Sequence, residues 1–269
     1  MQNYINIVLG AKGGIGKTII TTYLAEFLMV KKKQTVSVLN TDTSNKSLTN
    51  FKYFISESFD FKDDNGSISP VSIQNIATQF SNSNLIIDTG ANSYYAWLTY
   101  LKDMYGVPML ESSGSKVLIH VPIVPGQMLS ECLNCLREII SANLGTKIIL
   151  HLNSGFNSFT QGIKLEKLPP VKDLFTYPLF KEFKGKVDFI VEEPKIPLSM
   201  KYIFDSLRNQ FITFSELADC SMEELTKFKI TDNNNNSIRP ASIVEKKSSL
   251  IIRQMIFDNY SVLNPVYDK

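Results

Sequence analysis

Short runs of apolar, often β-branched residues recur along the chain and predict the strands of a sheet. They occupy residues 4–10, 35–40, 84–88, 116–124, 146–153 and 186–191. Runs without polar alternation are typical of strands that are buried on both faces. Because parallel strands need crossover connections, the pattern predicts an α/β fold: a mostly parallel, twisted sheet with helices on both faces.

The residues between the first two strands follow a helical period. Apolar side chains recur there at three- and four-residue spacing, which places them on one face of a helix: Ile20, Tyr23, Leu24, Phe27 and Leu28. The lysines at 31–33 suit the negative end of the helix dipole. A strand, a helix and a second strand within the first 40 residues predict a right-handed βαβ unit.

Later segments complete a single domain that we expect to span residues 1–269. A helix is predicted at roughly 127–143, and a C-terminal helix over 245–263. Residues 56–70 are polar and lack a clear period. The Asn-rich tract at 231–242 predicts a mobile loop.

Composition narrows the class of protein. Hydrophobic residues make up 43% and charged residues 20%, which is typical of a folded core. A net charge of +2 gives no general attraction to DNA or to anionic lipid. DNA binding is therefore not evident. Three cysteines, no signal-peptide pattern and no apolar run long enough to span a membrane lead us to expect a cytoplasmic protein.

The stretch "AKGGIGKT" at residues 11–18 predicts a phosphate-binding loop. Glycines 13, 14 and 16 permit backbone dihedrals that turn successive N–H groups inward, and these form an anion nest with the helix N-terminus. Lys17 would bridge the outer phosphates, and the Thr18 hydroxyl would bind magnesium. The alternative is a glycine turn before an ordinary helix.

The loop departs from the usual G-x-x-x-x-G-K-[ST] pattern because Ala11 stands where the first glycine would be. Its K-G-G-x-G-K-T sequence resembles the deviant loop of the ParA/MinD ATPases. The resemblance implies that Lys12 reaches across an ATP-dependent homodimer to the partner's nucleotide, while Lys17 acts within its own subunit. It also implies Mg–ATP binding, slow hydrolysis, and a nucleotide-binding set that includes Lys12, Gly13, Gly14, Ile15, Gly16, Lys17, Thr18 and Ile19.

Two acidic positions accompany the loop. By the same resemblance, Asp42 orients the attacking water, completes the catalytic set with Lys12 and Lys17, and lies near the metal. Family members commonly carry D-x-D here, whereas this chain has Asn40 before Asp42. Since Asn40 carries no charge, slow turnover is favoured. The alternative role for Asp42 is an ordinary helix N-cap.

The strand "LIID" ends at Asp88 and is followed by Thr89 and Gly90. After a phosphate loop, an apolar strand that ends in Asp resembles a Walker B strand. Asp88 would hold a magnesium-bound water, which gives a metal set of Thr18, Asp42 and Asp88. Gly90 would let the backbone approach the γ-phosphate.

Asn153 follows the strand "ILHL". In ParA/MinD-like proteins an asparagine at this place hydrogen-bonds adenine, and the sequence has no N/T-K-x-D motif of the kind that reads guanine. Adenine is therefore favoured. A simple turn residue is the competing interpretation.

The middle of the chain resembles the TraL family of conjugal-transfer proteins. The resemblance lies in "IDTGANSYYAWLTYL", "VPMLESSGSKVLIHVPIVPGQ", "HLNSGF" and "FITFSELA". It implies a role in plasmid transfer or maintenance and a protein partner from a type IV secretion apparatus. Two alternatives stay open: a nucleotide-dependent binding module with negligible hydrolysis, and a small-molecule kinase or ligase similar to dethiobiotin synthetase.

The remaining chemistry-bearing residues are better explained by packing. Cys132 and Cys135 lack the further ligands that a metal site needs, and His120 and His151 lie in or near strands. The aromatic group at 94–100 is more typical of a helix core face than of a partner surface. The C-terminal helix has few cations, so packing on the domain is favoured over membrane binding.

Overall fold

The computed structural model describes residues 2–42, 47–63, 65, 67–153, 171–231 and 238–268. The centre of the Asn-rich tract, residues 232–237, lies outside the described residues, as do residues 154–170.

A seven-stranded sheet forms the centre of the molecule. Its strands are β1 (Tyr4–Val8), β2 (Val36–Asn40), β3 (Ile55–Ser58), β4 (Asn84–Asp88), β5 (Lys116–Ile123), β6 (Lys147–Leu152) and β7 (Phe189–Glu192). Their order across the sheet is β3-β2-β4-β1-β5-β6-β7, and every pairing is parallel. The α/β fold with a parallel sheet is confirmed.

Helices cover both faces of the sheet. They are α1 (Lys17–Glu26), α2 (Pro70–Gln79), α3 (Tyr94–Asp103), α4 (Gly106–Glu111), α5 (Leu129–Ser141), α6 (Pro178–Lys181), α7 (Lys201–Asn209), α8 (Phe214–Asp219), α9 (Ile243–Tyr260) and α10 (Asn264–Tyr267). Helix α1 continues as a π-helical turn over Phe27–Lys31. The βαβ unit at the N-terminus therefore has the predicted form.

Two polar segments hold strands that the sequence pattern did not predict. Strand β3, at the sheet edge, runs into the start of the segment 56–70, where backbone pairing with β2 needs no apolar alternation. Lys229–Thr231 and Ile238–Pro240 form an antiparallel hairpin, β8 and β9, on either side of the Asn-rich centre. The ends of the predicted loop at 231–242 are thus paired backbone.

The two faces of the sheet carry separate apolar cores. One core contains the α3 side chains Tyr94, Trp97 and Tyr100, each 1% exposed or less, together with Cys132 and Cys135 of α5. The packing roles predicted for these residues are confirmed. The exception is Tyr95, which is 66% exposed. The core on the other face joins α1 to α7, α8 and α9.

Helix α9 packs on the domain, as predicted. Ile252, Ile256 and Tyr260 are fully buried, whereas Leu250 and Ile251 are 38% and 49% exposed. The spacing of apolar residues along a helix does not show which of two neighbouring rows of side chains meets the core. Within the described residues, no helix is long and apolar enough to cross a membrane.

A continuous row of hydrogen-bonded polar side chains crosses the sheet beneath α9 and α10. Asn6 of β1 contacts His120 of β5, His120 contacts His151 of β6, and His151 contacts Glu193 just after β7. The hydroxyl groups of Tyr267 and Tyr260 donate to the two ends. We call this row the buried polar chain: Tyr267, Asn6, His120, His151, Glu193 and Tyr260.

Candidate nucleotide site

The glycine loop joins the carboxyl end of β1 to α1, at the edge of the sheet where ligands bind in open α/β proteins. Gly14 and Gly16 have φ values of 77° and 93°, in the left-handed region that glycine tolerates. Gly13 does not. Gly16 is also the N-cap of α1 and supplies no side chain, so the first N–H groups of the helix have no side-chain cap. The loop thus presents backbone donors to an anion.

Lys17 begins α1 and is buried to 8% exposure. Its ammonium group donates a hydrogen bond of 2.9 Å to the carbonyl oxygen of Lys12, across the loop. Burial lowers the pKa of Lys17, and the nearby carboxylates of Asp88 and Asp42 partly oppose that shift. A phosphate oxygen in the loop would offer this buried cation a stronger, charged acceptor than a carbonyl.

Thr18 and Asp88 meet at the end of β4. The Thr18 hydroxyl donates a 2.7 Å hydrogen bond to Oδ2 of Asp88, which is 3% exposed. Burial raises the pKa of Asp88 to about 7, while hydrogen bonding and Lys17 oppose the rise. Among the described residues, Oδ1 of Asp88 has no hydrogen-bond partner of normal geometry, and the nearby Thr21 hydroxyl has none either.

This arrangement fits magnesium. A buried carboxylate oxygen without a partner is costly unless a cation or water completes it. Mg²⁺ is usually held by one or two protein oxygens, with phosphates and waters supplying the rest. The described residues hold no group of three or more His, Cys, Asp or Glu side chains that could bind a metal without such help. Thr18 and Asp88 are therefore the protein groups placed to hold it.

Asp42, which follows β2, and Gly90, which follows β4, lie against each other. A Cβ atom added to Gly90 would lie 3.0 Å from Cγ and 3.2 Å from Cα of Asp42. The backbone N–H of Asp42 donates to Oδ1 of Asn40, which is 1% exposed. The Asn40 side chain thus closes the backbone turn that holds Asp42.

Lys12 lies at the mouth of the loop with 47% of its side chain exposed. Its ammonium nitrogen is 3.1 Å from Oε2 of Glu131 in the first turn of α5. Sequence reasoning missed Glu131, because no local pattern links a helix 119 residues away to this lysine. Lys12 is thus held in an exposed ion pair.

Asn153, predicted to read adenine, packs against the loop. It is 4% exposed, and its amide Nδ2 donates a long, 3.4 Å hydrogen bond to the carbonyl oxygen of Ile15. The side chain of Ile15 is 2% exposed and lies close to Gly10, where an added Cβ would come within 2.7 Å of its Cδ1. Sequence reasoning also missed Gly10, which is required for this close approach.

The structure brings most of the predicted set to one edge of the sheet. The loop residues 12–18, Asp88 and Asn153 are linked by the hydrogen bonds described above, and Asp42 contacts Gly90. Ile19 is half-buried on the outer face of α1 and does not take part in these contacts. Cys135 makes a further contact with the loop that the sequence did not predict: its Sγ accepts a hydrogen bond from the backbone N–H of Ala11 at 3.3 Å.

No family model matches the chain. Over 140 residues it is 26% identical to protein TraL of Escherichia coli, a match that covers 51% of this chain and 57% of TraL. The chain thus spans little more than half of that relative's length. The resemblance to ParA/MinD-type P-loop proteins, and to TraL among them, is confirmed.

Two solved structures were also found to be similar. The MinD cell division protein of Aquifex aeolicus matches with a TM-score of 0.46 and 16% identity, covering 93% of this chain and 97% of that one. A nucleotide-binding protein of Archaeoglobus fulgidus in complex with ADP matches with a TM-score of 0.43 and 14% identity, covering 78% and 88%.

Proposed function

We propose that the protein binds Mg–ATP and hydrolyses it slowly, and that ATP-dependent dimerisation switches its recruitment of a partner. The observation that carries the proposal is the Thr18–Asp88 pair beside the glycine loop. The second oxygen of this buried carboxylate has no partner of normal hydrogen-bond geometry among the described residues, and its first oxygen lies 2.7 Å from a hydroxyl in the first turn of α1. This arrangement matches the chemistry of a magnesium–phosphate site.

The residues of the chain have distinct tasks in this proposal. Backbone N–H groups of residues 13–18 surround the phosphates, and Lys17 exchanges its bond with the Lys12 carbonyl for a phosphate oxygen. Thr18 and Asp88 would hold magnesium, which would supply charge neutralisation to the phosphates. Asp42 accepts a proton from, and orients, the attacking water, and Gly90 leaves room for that carboxylate beside the terminal phosphate.

Dimerisation depends on Lys12. In the proposed dimer, Lys12 of the facing subunit supplies a second cation to the transferring phosphate, where it stabilises the charge that develops. In the described subunit Lys12 instead pairs with Glu131, half exposed to solvent. An exposed ion pair of this kind contributes about 1 kcal/mol or less, so a bound triphosphate on the facing subunit can displace it.

Asn40 favours the second candidate function, a nucleotide-dependent binding module with negligible hydrolysis. Its side-chain oxygen accepts the Asp42 N–H and carries no negative charge toward the site. Phosphate release in a single turnover separates the two candidates. Release in step with dissociation of the dimer supports the slow ATPase, whereas a stable dimer without release supports the binding module.

The biological setting that we propose, conjugal transfer or plasmid maintenance with a type IV secretion partner, is supported by the similarity to TraL. The partner, an ATP-gated dimer and a cytoplasmic location are part of the same proposal. A pull-down with Asp42→Ala protein held in Mg–ATP tests it, because that variant should accumulate the partner-binding state. Equal recovery of proteins with and without ATP would contradict it.

Lys12→Ala provides the direct test of the dimer. The variant should bind Mg–ATP with unchanged affinity, measured by calorimetry, and remain monomeric in size-exclusion chromatography with Mg–ATP. Lys17→Ala should lose binding, and Lys102→Ala, an exposed lysine on α3, is the matched control. ATP-dependent dimers of Lys12→Ala protein would refute the role in trans, and absence of ATP binding to the wild type would refute the proposal as a whole.

A further inference from the structure

A cavity of about 330 Å³ adjoins the predicted site, between the outer face of α1, helix α7 and the segment at 210–214. We call it the α1–α7 cavity. Five aromatic side chains line it: Tyr23, Phe51, Phe204, Phe211 and Phe214. Its volume and its apolar lining are those of sites that bind small molecules.

The aromatic rings that line the cavity pack against one another. The rings of Phe204 and Phe214 stack with centroids 6.2 Å apart, and Tyr23 lies 6.4 Å from Phe214. Phe51 and Phe211 meet edge to face at 5.9 Å. Because each ring is supported by another, the cavity is formed before a ligand arrives.

The polar groups deep in the cavity already have partners. Glu26 is fully buried, and its carboxylate accepts the N–H groups of Phe214 and Ser215 and the Ser215 hydroxyl. Burial raises the pKa of Glu26 to about 7, although those hydrogen bonds act to lower it. The Thr22 hydroxyl donates to the carbonyl oxygen of Thr18 at 2.8 Å. The carboxylate of Glu26 and the hydroxyl of Thr22 are thus engaged within the protein.

Arg208 differs from them. It lines the cavity from the exposed side of α7, near enough to Tyr23 to act on the pKa of that phenol. Within the described part of the chain, its guanidinium group makes no hydrogen bond and no ion pair. An unpaired arginine beside aromatic walls matches a ligand with one anionic group and a flat apolar body.

We infer that the α1–α7 cavity binds a small organic anion, whose flat body enters among the rings while its anionic group pairs with Arg208. Thr18 and Ile19 also line the cavity, and Thr18 is the residue that bonds to Asp88. An occupant would therefore contact the first turn of the helix that follows the phosphate loop. Its affinity should respond to Mg–nucleotide, an expectation that rests on the proposed function.

The test uses the full chain and 2-naphthoate, a fluorescent aromatic carboxylate, with the uncharged 2-naphthalenemethanol as its counterpart. Saturable binding of naphthoate is expected. Arg208→Gln should weaken it about tenfold, the effect of losing one charge-assisted pair, and should leave the alcohol unaffected. Lys172→Gln, an exposed cation elsewhere, is the matched control and should bind naphthoate as the wild type does.

A second variant, Thr22→Trp, should fill the cavity and abolish binding of both probes. If it fails to fold, Arg208→Gln, at an exposed position, still decides the matter. Non-saturable naphthoate binding, or equal affinity in Arg208→Gln, would overturn the inference. Strict competition between naphthoate and Mg–ADP, with Arg208→Gln weakening both equally, would also overturn it, since the cavity would then be part of the nucleotide site. Naphthoate binding without nucleotide binding would refute only the proposed function.

Discussion

The buried polar chain leads to a prediction about stability and pH, because its hydrogen bonds fix where one proton must lie. The amide nitrogen of Asn6 donates to the carbonyl of Leu85, so its Oδ1 faces His120 and can only accept. His120 therefore donates from Nε2, and in its neutral form it accepts from His151 at Nδ1. A neutral His151 must then accept at Nδ1, where only a protonated Glu193 can donate.

Burial favours the same protonation state. It raises the pKa of Glu193 to about 8, and it lowers the pKa of His151 to about 3 and that of His120 well below 6.5. The other groups that face the chain, Tyr260 and Tyr267, have pKa values raised by burial. The folded protein thus keeps one proton on the Glu193 carboxyl at neutral pH.

The linkage between this proton and folding has a definite sign. The unfolded chain loses the Glu193 proton near its ordinary pKa of 4.5, and the folded protein keeps it to about pH 8, so this contribution to stability falls as pH rises through that window. The two histidines act oppositely, because the unfolded chain takes up protons below pH 6.5 that the folded one excludes. The contribution of the buried polar chain to stability should therefore peak near pH 6.5.

The size of the fall above that peak follows from the shift. Between pH 6.5 and 8 the carboxyl alone contributes about 2 kcal/mol of lost stability, at about 1.4 kcal/mol for each pH unit. Glu26 and Asp88, with pKa values of about 7, each add about 0.7 kcal/mol over the first part of this range. Only the larger contribution should disappear when Glu193 is replaced.

Glu193→Gln is the suitable perturbation, since glutamine keeps a donor and an acceptor of the same shape. The free energy of unfolding, from urea titrations followed by circular dichroism at pH 6.5 and 8, should fall about 2 kcal/mol less in this variant than in the wild type. Glu192→Gln, the exposed-side neighbour, should behave as the wild type. Parallel falls in wild type and Glu193→Gln would refute the protonated carboxyl.

Three other substitutions test particular contacts. Gly90→Ala should weaken Mg–ATP binding about tenfold in calorimetry, because the new Cβ would press on Asp42; unchanged affinity would count against that contact. Glu131→Gln should leave Mg–ATP affinity unchanged yet let ATP-dependent dimers form at about threefold lower protein concentration by light scattering, since Lys12 is released; a higher concentration requirement would be contrary evidence. Gly106→Ala should lower the free energy of unfolding by about 2 kcal/mol in urea titrations, because its Cβ would lie 2.6 Å from a buried ring carbon in α3; a loss near zero would contradict this.

Local sequence determined most of the sheet. Apolar runs located six of the seven strands, because a buried parallel strand depends on neighbouring residues in the chain. The glycine loop lies between the first strand and the first helix, as predicted, and its phosphate-binding role stays a prediction. Strand β3 was missed, because an edge strand pairs through its backbone and shows little in its side-chain pattern.

Tertiary structure decided everything that depends on distant parts of the chain meeting. It paired Lys12 with Glu131, aligned two histidines with Glu193 across three strands, and gave Asn40 the task of closing the Asp42 turn. It also chose which stripe of α9 is buried. Sequence spacing fixes which residues share a face, but whether a polar group is buried and which group meets it are set by how helices and strands pack in three dimensions.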